Sequence, residues 1–276
     1  MKHASERMTT SEFERDVALA VEIAEVAGER ALMLRETKRW TEPGMLADIG
    51  DQAADGLIQG FMRGRLPEDG ILSEETADSA RRQGIDRVWI VDPLDGTREY
   101  SQLREDWAVH VALTIRGKCA VGVLVLPARG KTIWGVCHDG ARSFGLRGAG
   151  TLATGDSPTP TRPRIVMSRS HTPSWMPRFA EILDAEMVRS GSVGNKVGML
   201  LLGEADLYAH RKGLNEWDTC APECVARAMG WSVSNLRGAE LKYNQPDPRL
   251  DEFMVCKPAM RERVLAALRE SGAVKD

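Results

Sequence analysis

The sequence predicts a mixed α+β protein whose later part alternates strand and helix as α/β units do. Three observations carry that reading. Apolar residues Val17, Val21, Ala24, Gly28, Ala31 and Leu32 recur at helical spacing near the start. A series of short β-branched and apolar runs follows, from Ile71 to Cys137, separated by turn residues. Beyond a stretch rich in Gly, Thr and Pro, from Gly148 to Pro163, the texture changes to strand and helix in alternation. That stretch is the expected inter-domain connection, dividing the 276 residues into an α+β half, 1–155, and an α/β half, 156–276.

The elements follow in order. Ser11 and Glu14 have capping-box spacing, so residues 11–36 read as one amphipathic helix with Ser11 as its cap. Lys38 to Gly50, with Pro43 and two glycines, reads as a hairpin or loop. Asp51 then stands at the head of a second helix, whose apolar face is Ala54, Leu57, Ile58 and Phe61, as an N-cap would. Ile71-Leu72 is a short strand that ends in Ser73-Glu74-Glu75, and Thr76 to Asp86 is a polar loop. Three runs, Trp107 to Ile115, Val121 to Leu126 and Lys131 to Cys137, extend a mainly antiparallel sheet. In the later half strands are expected at Arg164 to Met167, Glu186 to Ser190, Ala205 to Tyr208, around Leu241 and at Phe253 to Cys256. Helices are expected near Trp175 to Leu183 and over Asn195 to Gly203, Asp218 to Met229 and Ala259 to Arg269. Pro222 constrains the third of these: proline is tolerated in a first turn, which places the helix start close to Asp218.

Composition excludes several classes. Hydrophobic content of 42% and charged content of 28% are those of a globular protein, and a net charge of -3 gives no electrostatic reason to bind nucleic acid or membrane. No apolar run reaches membrane-spanning length and the polar start lacks a signal-peptide pattern, so a cytoplasmic protein is expected. Cys119, Cys137, Cys220, Cys224 and Cys256 are odd in number and scattered, which reads as buried thiols rather than a disulfide framework. His110 and His138 lie on or near the antiparallel runs with no acidic pattern beside them in sequence, and read as structural.

The chemistry concentrates in Val88-Trp89-Ile90-Val91-Asp92-Pro93-Leu94-Asp95-Gly96-Thr97. A buried strand runs into two carboxylates; Pro93 ends the strand, so Asp92, Asp95 and the Leu94 carbonyl converge on one point. Hard oxygen donors in that arrangement suit Mg²⁺. Gly96-Thr97 opens a helix whose free N–H groups favour a phosphate. Asp-Pro-Leu-Asp-Gly also has the composition of an ordinary surface turn. Against that bland reading stand two further acids at the mouths of elements, Glu74 and Asp218.

Ser-Glu-Glu, Trp-Ile-Val-Asp-Pro-Leu-Asp-Gly-Thr and Trp217-Asp218, in this order and spacing, resemble the inositol monophosphatase superfamily of Mg²⁺-dependent, typically lithium-sensitive phosphatases. Asp-Gly-Thr-Arg-Glu-Tyr, Ser168-Arg169-Ser170-His171, Gly191-Ser192-Val193-Gly194-Asn195-Lys196 and Leu241-Lys242-Tyr243-Asn244 are similar to its CysQ branch, of actinobacterial type. The resemblance implies a layered αβαβα sandwich of the sugar-phosphatase type. It implies metal held by Glu74, Asp92, the Leu94 carbonyl, Asp95 and Asp218, two or three Mg²⁺ per site, with most ligands in the first half. It implies Asp51 bonded to the Thr97 hydroxyl, the pair orienting or deprotonating the attacking water, and Gly96 and Thr97 gripping the phosphoryl group. Asp48 stands where the superfamily usually has Thr. The activity implied is hydrolysis of the 3′-phosphate of 3′-phosphoadenosine 5′-phosphate to AMP, in sulfur assimilation.

The substrate side is a small phosphate ester, and a homodimer is an expectation from the relatives. Ser168 and Arg169, following a strand, and Lys196, near a helix start, are the expected nucleotide and phosphate contacts, with Asp218 beside them. His171, Tyr208 and Arg211 are weaker candidates, and Glu75 is expected to support the site without binding metal. The alternatives are an inositol monophosphatase or fructose-1,6-bisphosphatase, which would share the metal core, and a phosphonucleotide or metal sensor that retains the fold.

Overall fold

The computed structural model of the chain describes residues 8–37, 42–78 and 80–274. Helix α1 (Thr10–Glu36) begins at a capping box, but the cap is Thr9 and not Ser11. Thr9 Oγ1 accepts from the Glu12 N–H at 3.3 Å and the Thr9 N–H donates to Glu12 Oε2 at 2.7 Å. Helix α2 (Pro43–Arg65) replaces the loop expected up to Gly50; residues 38–41 of that expectation lie outside the described residues. Proline is at home in a first turn, and Gly44 and Gly50 are helical. Gly50 has a packing reason to be there: a Cβ would lie 2.7 Å from the Tyr100 ring.

The first sheet has six strands in the order β1 (Gly70–Ser73), β2 (Arg87–Asp95), β3 (Ala108–Ile115), β4 (Lys118–Leu126), β5 (Lys131–His138) and β6 (Ala141–Arg147). Only β1 and β2 run parallel. The sequence reading omits β6, an exposed edge strand with too little apolar alternation to stand out. It also stops the central strand too early. Pro93 does not end β2: pairing with β3 resumes at Asp95 after an irregularity at 93 and 94, the bulge being one of the few places a sheet accepts proline.

The second sheet has the order β10 (Ser232–Ser234), β11 (Glu252–Cys256), β9 (Leu207–Arg211), β7 (Arg164–Ser168) and β8 (Glu186–Ser190). The helices between are α4 (Met176–Ile182), α5 (Val193–Leu201), α6 (Glu216–Ala228) and α7 (Arg261–Glu270). No strand forms around Leu241; β10 fills that part of the sheet instead.

Period-two alternation explains the layering. On β2, Trp89 and Val91 face α1 and α2, whereas Val88 and Ile90 face the interior shared with α5 and α6. On β9, Tyr208 points to that same shared interior, and Leu207 and Ala209 point outward to α4 and α7. The stack is therefore helices, sheet, helices, sheet, helices: the expected αβαβα sandwich. Helix α6 lies close against β4, where a Cβ on Gly122 would lie 2.7 Å from the Ala221 carbonyl.

Candidate active site

The β1–β2 pairing ends with Ser73 opposite Val91, so Glu74, just past β1, lies beside Asp92 of β2. The Glu74 N–H still bonds the Val91 carbonyl at 3.3 Å, which holds Glu74 at the mouth although its surface is exposed. At the bulge the Leu94 N–H donates to Asp92 Oδ1 at 3.1 Å, fixing that carboxylate over its own turn. Gly96 follows with φ 97°, a left-handed conformation that glycine adopts without strain, and Thr97 starts the short helix α3 (Thr97–Ser101).

The third acid comes from the other sheet's connections. Asp218 is in the first turn of α6, where its Oδ2 accepts from the Asn215 N–H at 2.7 Å. This helix starts at Glu216, so Pro222 falls in the second turn and not, as its chemistry predicted, in the first. A residue at 222 would normally donate to the Asp218 carbonyl; proline leaves that carbonyl without its helical partner.

Asp92, Asp95 and Asp218 each present a carboxylate oxygen within 4.8 Å of the other two. The first two are buried and Asp218 is half-buried. Ionising all three is electrostatically unfavourable. Burial, then Asp95 and Glu74, pushes Asp92 far above the usual carboxylate range. Burial and Asp95 raise Asp218 to about 7, and burial with Asp95 and Glu75 raises Glu74 to about 6. A cluster of hard oxygen donors that resist ionisation together fits a divalent cation such as Mg²⁺, which would relieve that repulsion.

Asp95 is the exception, and the reason is a clamp that reaches across the sequence. Burial alone would raise it; His110, Lys196 and the Ser192 hydroxyl outweigh burial and lower it. Its Oδ2 accepts from Ser192 Oγ at 2.5 Å and from the Gly194 N–H at 2.6 Å. The loop that supplies these donors is itself bent: Ser192 has φ 49°, in the left-handed region that non-glycine residues seldom adopt. Lys196 holds it in place. Its ammonium donates to the Gly191 carbonyl at 3.1 Å and the Ser192 carbonyl at 2.5 Å, and lies over the Tyr208 ring at 5.3 Å.

Lys196, expected as a phosphate contact, is buried and ties this loop; burial lowers its pKa to about 8. Arg169, the other expected phosphate contact, donates to Asp106 at 2.5 Å, and Asp106 also accepts from the Gly191 N–H at 2.5 Å. The Arg169 side chain keeps 32% of its surface exposed. Ser168 pairs with Ser170 at 3.3 Å, His171 is exposed, and Arg211 is spent on the Ala273 carbonyl.

The proposed water-orienting pair is reshaped. Asp51 sits within α2 and caps nothing, and among the described residues no hydrogen bond joins it to Thr97. Its Oδ1 is buried without a partner, and burial with Glu75, Glu74, Asp48 and Asp55 around it raises its pKa to about 8. Asp48, Asp51 and Asp55 share a helix face turned to this region. Thr97 is half-buried at the start of α3.

His110 is the residue that sequence reasoning missed. It is fully buried, its Nε2 lies 3.2 Å from Asp95 Oδ2, and its Nδ1 lies 3.1 Å from the Trp217 carbonyl. Burial would lower its pKa, but Asp95 prevails and raises it. The acids beside it are not its sequence neighbours: Asp92 is its Cα partner across the β2–β3 pair. Aligning those two strands as an antiparallel pair is the signal that could have found it.

Three comparisons bear on this site. Residues 10–273 match the model of the inositol monophosphatase family. The chain is 39% identical over 265 residues to a 3′-phosphoadenosine 5′-phosphate phosphatase of Mycobacterium leprae, covering 92% of this chain and 94% of that one. It is 31% identical over 211 residues to the 3′(2′),5′-bisphosphate nucleotidase CysQ of Shigella flexneri, covering 75% and 82%. Among solved structures it is similar to CysQ of Bacteroides thetaiotaomicron, with TM-score 0.75, 27% identity and coverage of 90% and 99%. The matched span includes every element that builds the carboxylate cluster, and the chain belongs to the inositol monophosphatase family and is a phosphatase of that family.

Proposed function

We propose that the chain is a Mg²⁺-dependent 3′(2′),5′-bisphosphate nucleotidase that hydrolyses the 3′-phosphate of 3′-phosphoadenosine 5′-phosphate, a reaction that belongs to sulfur assimilation. The observation that carries the metal part is the cluster of buried Asp92 and Asp95 with half-buried Asp218. The nucleotide part rests on the mycobacterial relative, which matches this chain over 92% of its length.

Glu74, Asp92, Asp95, Asp218 and the Leu94 carbonyl would hold the metal, two or three ions in all. When bound, Mg²⁺ supplies positive charge at the phosphoryl group and an activated water. Asp51 is the proton acceptor: its Oδ1 is unpartnered and its raised pKa brings it near neutral pH, where a general base works best. Thr97 orients the water beside it, and the Gly96 and Thr97 N–H groups grip the transferring oxygens. The exposed side of Arg169 is available to the second phosphate, and Ser168 to the nucleotide. Lys196 serves by holding the Ser192 loop to Asp95.

The test is phosphate release with Mg²⁺ from 3′-phosphoadenosine 5′-phosphate, inositol 1-phosphate and fructose 1,6-bisphosphate, compared by kcat/KM. Preference for the nucleotide is expected. Preference for either sugar phosphate would keep the metal chemistry and reject the nucleotidase. Release from none would return the chain to a sensor.

A further inference from the structure

His110 links two of the acids without itself being one: its two ring nitrogens face Asp95 and the backbone beside Asp218. It stands on β3 among the residues between the two sheets, opposite Asp92. Its Nε2 is 3.2 Å from Asp95 Oδ2, at ion-pair distance but not aligned as a hydrogen bond. Its Nδ1 is 3.1 Å from the carbonyl of Trp217, the residue before Asp218. A rigid imidazole thus spans from one acid to the backbone that carries another. The ring is also sealed in. A Cβ on Gly194 would lie 2.1 Å from Nε2, so the start of α5 closes directly over that atom and leaves no room for an ion or water there.

We infer that His110 is a positioning residue that fixes the span between Asp95 and Asp218 and thereby sets the affinity of the metal position those two carboxylates share, without being a ligand itself. The inference rests on the reading of this cluster as a Mg²⁺ site. With Ser192, Gly194 and His110 gathered on Oδ2, the other Asp95 oxygen is left to the ion. Trp217, drawn to the ring, sets where Asp218 begins. Residues that orient a ligand from behind typically change metal affinity by about 10- to 100-fold when removed.

The test is Mn²⁺ binding to the full chain, followed by electron paramagnetic resonance and calorimetry, for the unaltered protein, D218N, H110A, H110N and H110Q. The unaltered chain is expected to show two affinity classes, and D218N to lose one. H110A should weaken that same class by about tenfold or more and leave the other within about twofold. The Mg²⁺ concentration for half-maximal phosphatase activity should rise in parallel while kcat at saturating Mg²⁺ largely recovers. Asn can reproduce the Nδ1 contact and Gln the Nε2 contact, so H110N and H110Q should each fall between, and they carry the test should H110A fail to fold. Unchanged affinities in the His110 variants, or equal weakening of both classes with a lower unfolding temperature, would overturn the inference and leave the metal reading standing. Absence of Mn²⁺ binding by the unaltered chain would reject the metal reading, and this inference with it.

Discussion

Ser192 Oγ donates to Asp95 Oδ2 at 2.5 Å, joining residues 97 positions apart in the chain. That bond ties the loop before α5 to the end of β2, and after His110 and Lys196 it adds to what makes Asp95 the one carboxylate of the cluster whose charge the protein stabilises by itself. Replacing Ser192 with Ala removes one of the contacts on Oδ2 and should raise the Mg²⁺ concentration for half-maximal activity by about 10-fold, within the range typical of groups that orient metal ligands. A Mg²⁺ titration of phosphate release reads this directly; an unshifted midpoint would show that the bond does not prepare Asp95.

Asp92 and Asp218 supply charge that no other group replaces. D92N or D218N should lower kcat by at least about a thousandfold, the equivalent of several kcal/mol of lost metal-dependent stabilisation. Without metal, each change removes a repelled carboxylate, so the variants should unfold at or above the temperature of the unaltered chain. Retained turnover in either would contradict the ligand assignment.

The raised carboxyl groups predict a pH dependence with a definite sign. Asp51 at about 8, Asp218 at about 7 and Glu74 at about 6 all bind protons more tightly folded than unfolded. Stability falls with rising pH wherever the folded state holds more protons, here from about pH 4 to about pH 8. Bound Mg²⁺ relieves the repulsion, so the gain in Tm on adding Mg²⁺ should grow across that interval. Differential scanning fluorimetry with Mg²⁺ and with chelator checks it; a gain independent of pH would mean that these acids do not face the ion.

Lys196 tests whether the clamp is structural. K196M keeps the side-chain length but removes both donors to the Gly191 and Ser192 carbonyls. Each lost bond to a charged group is worth about 1.5–3 kcal/mol, so urea unfolding should show a loss of at least about 2 kcal/mol. The Mg²⁺ requirement should rise as in S192A, since both act on Asp95. A defect confined to substrate KM would instead make Lys196 a phosphate contact.

Much of this was legible in the residues. The continuous β-branched and aromatic run from Val88 to Val91 set the buried strand, and the motifs carried by Glu74, Asp92, Asp95 and Asp218 set the family and the metal reading, because these depend on local pattern and spacing. Local rules failed where a neighbour overrode them. Gly50 looked like a loop residue, yet it is helical, and it is glycine because the Tyr100 ring leaves no space for a side chain. Pro222 looked like a first-turn residue, yet α6 begins earlier, at an Asn215 cap closed by Asp218 itself.

The sequence by itself determined which acids exist and the order in which strands and helices would carry them, since hydrophobic period and turn chemistry are properties of neighbouring residues. Only the tertiary structure decided which charges are free. Lys196, Arg169 and His110 are a cation, a cation and a ring in any sequence reading; packing turned them into a loop tie, a partner of Asp106 and a brace between Asp95 and Trp217. A buried polar group must find a partner nearby, and which partner is near is settled by packing across the two sheets.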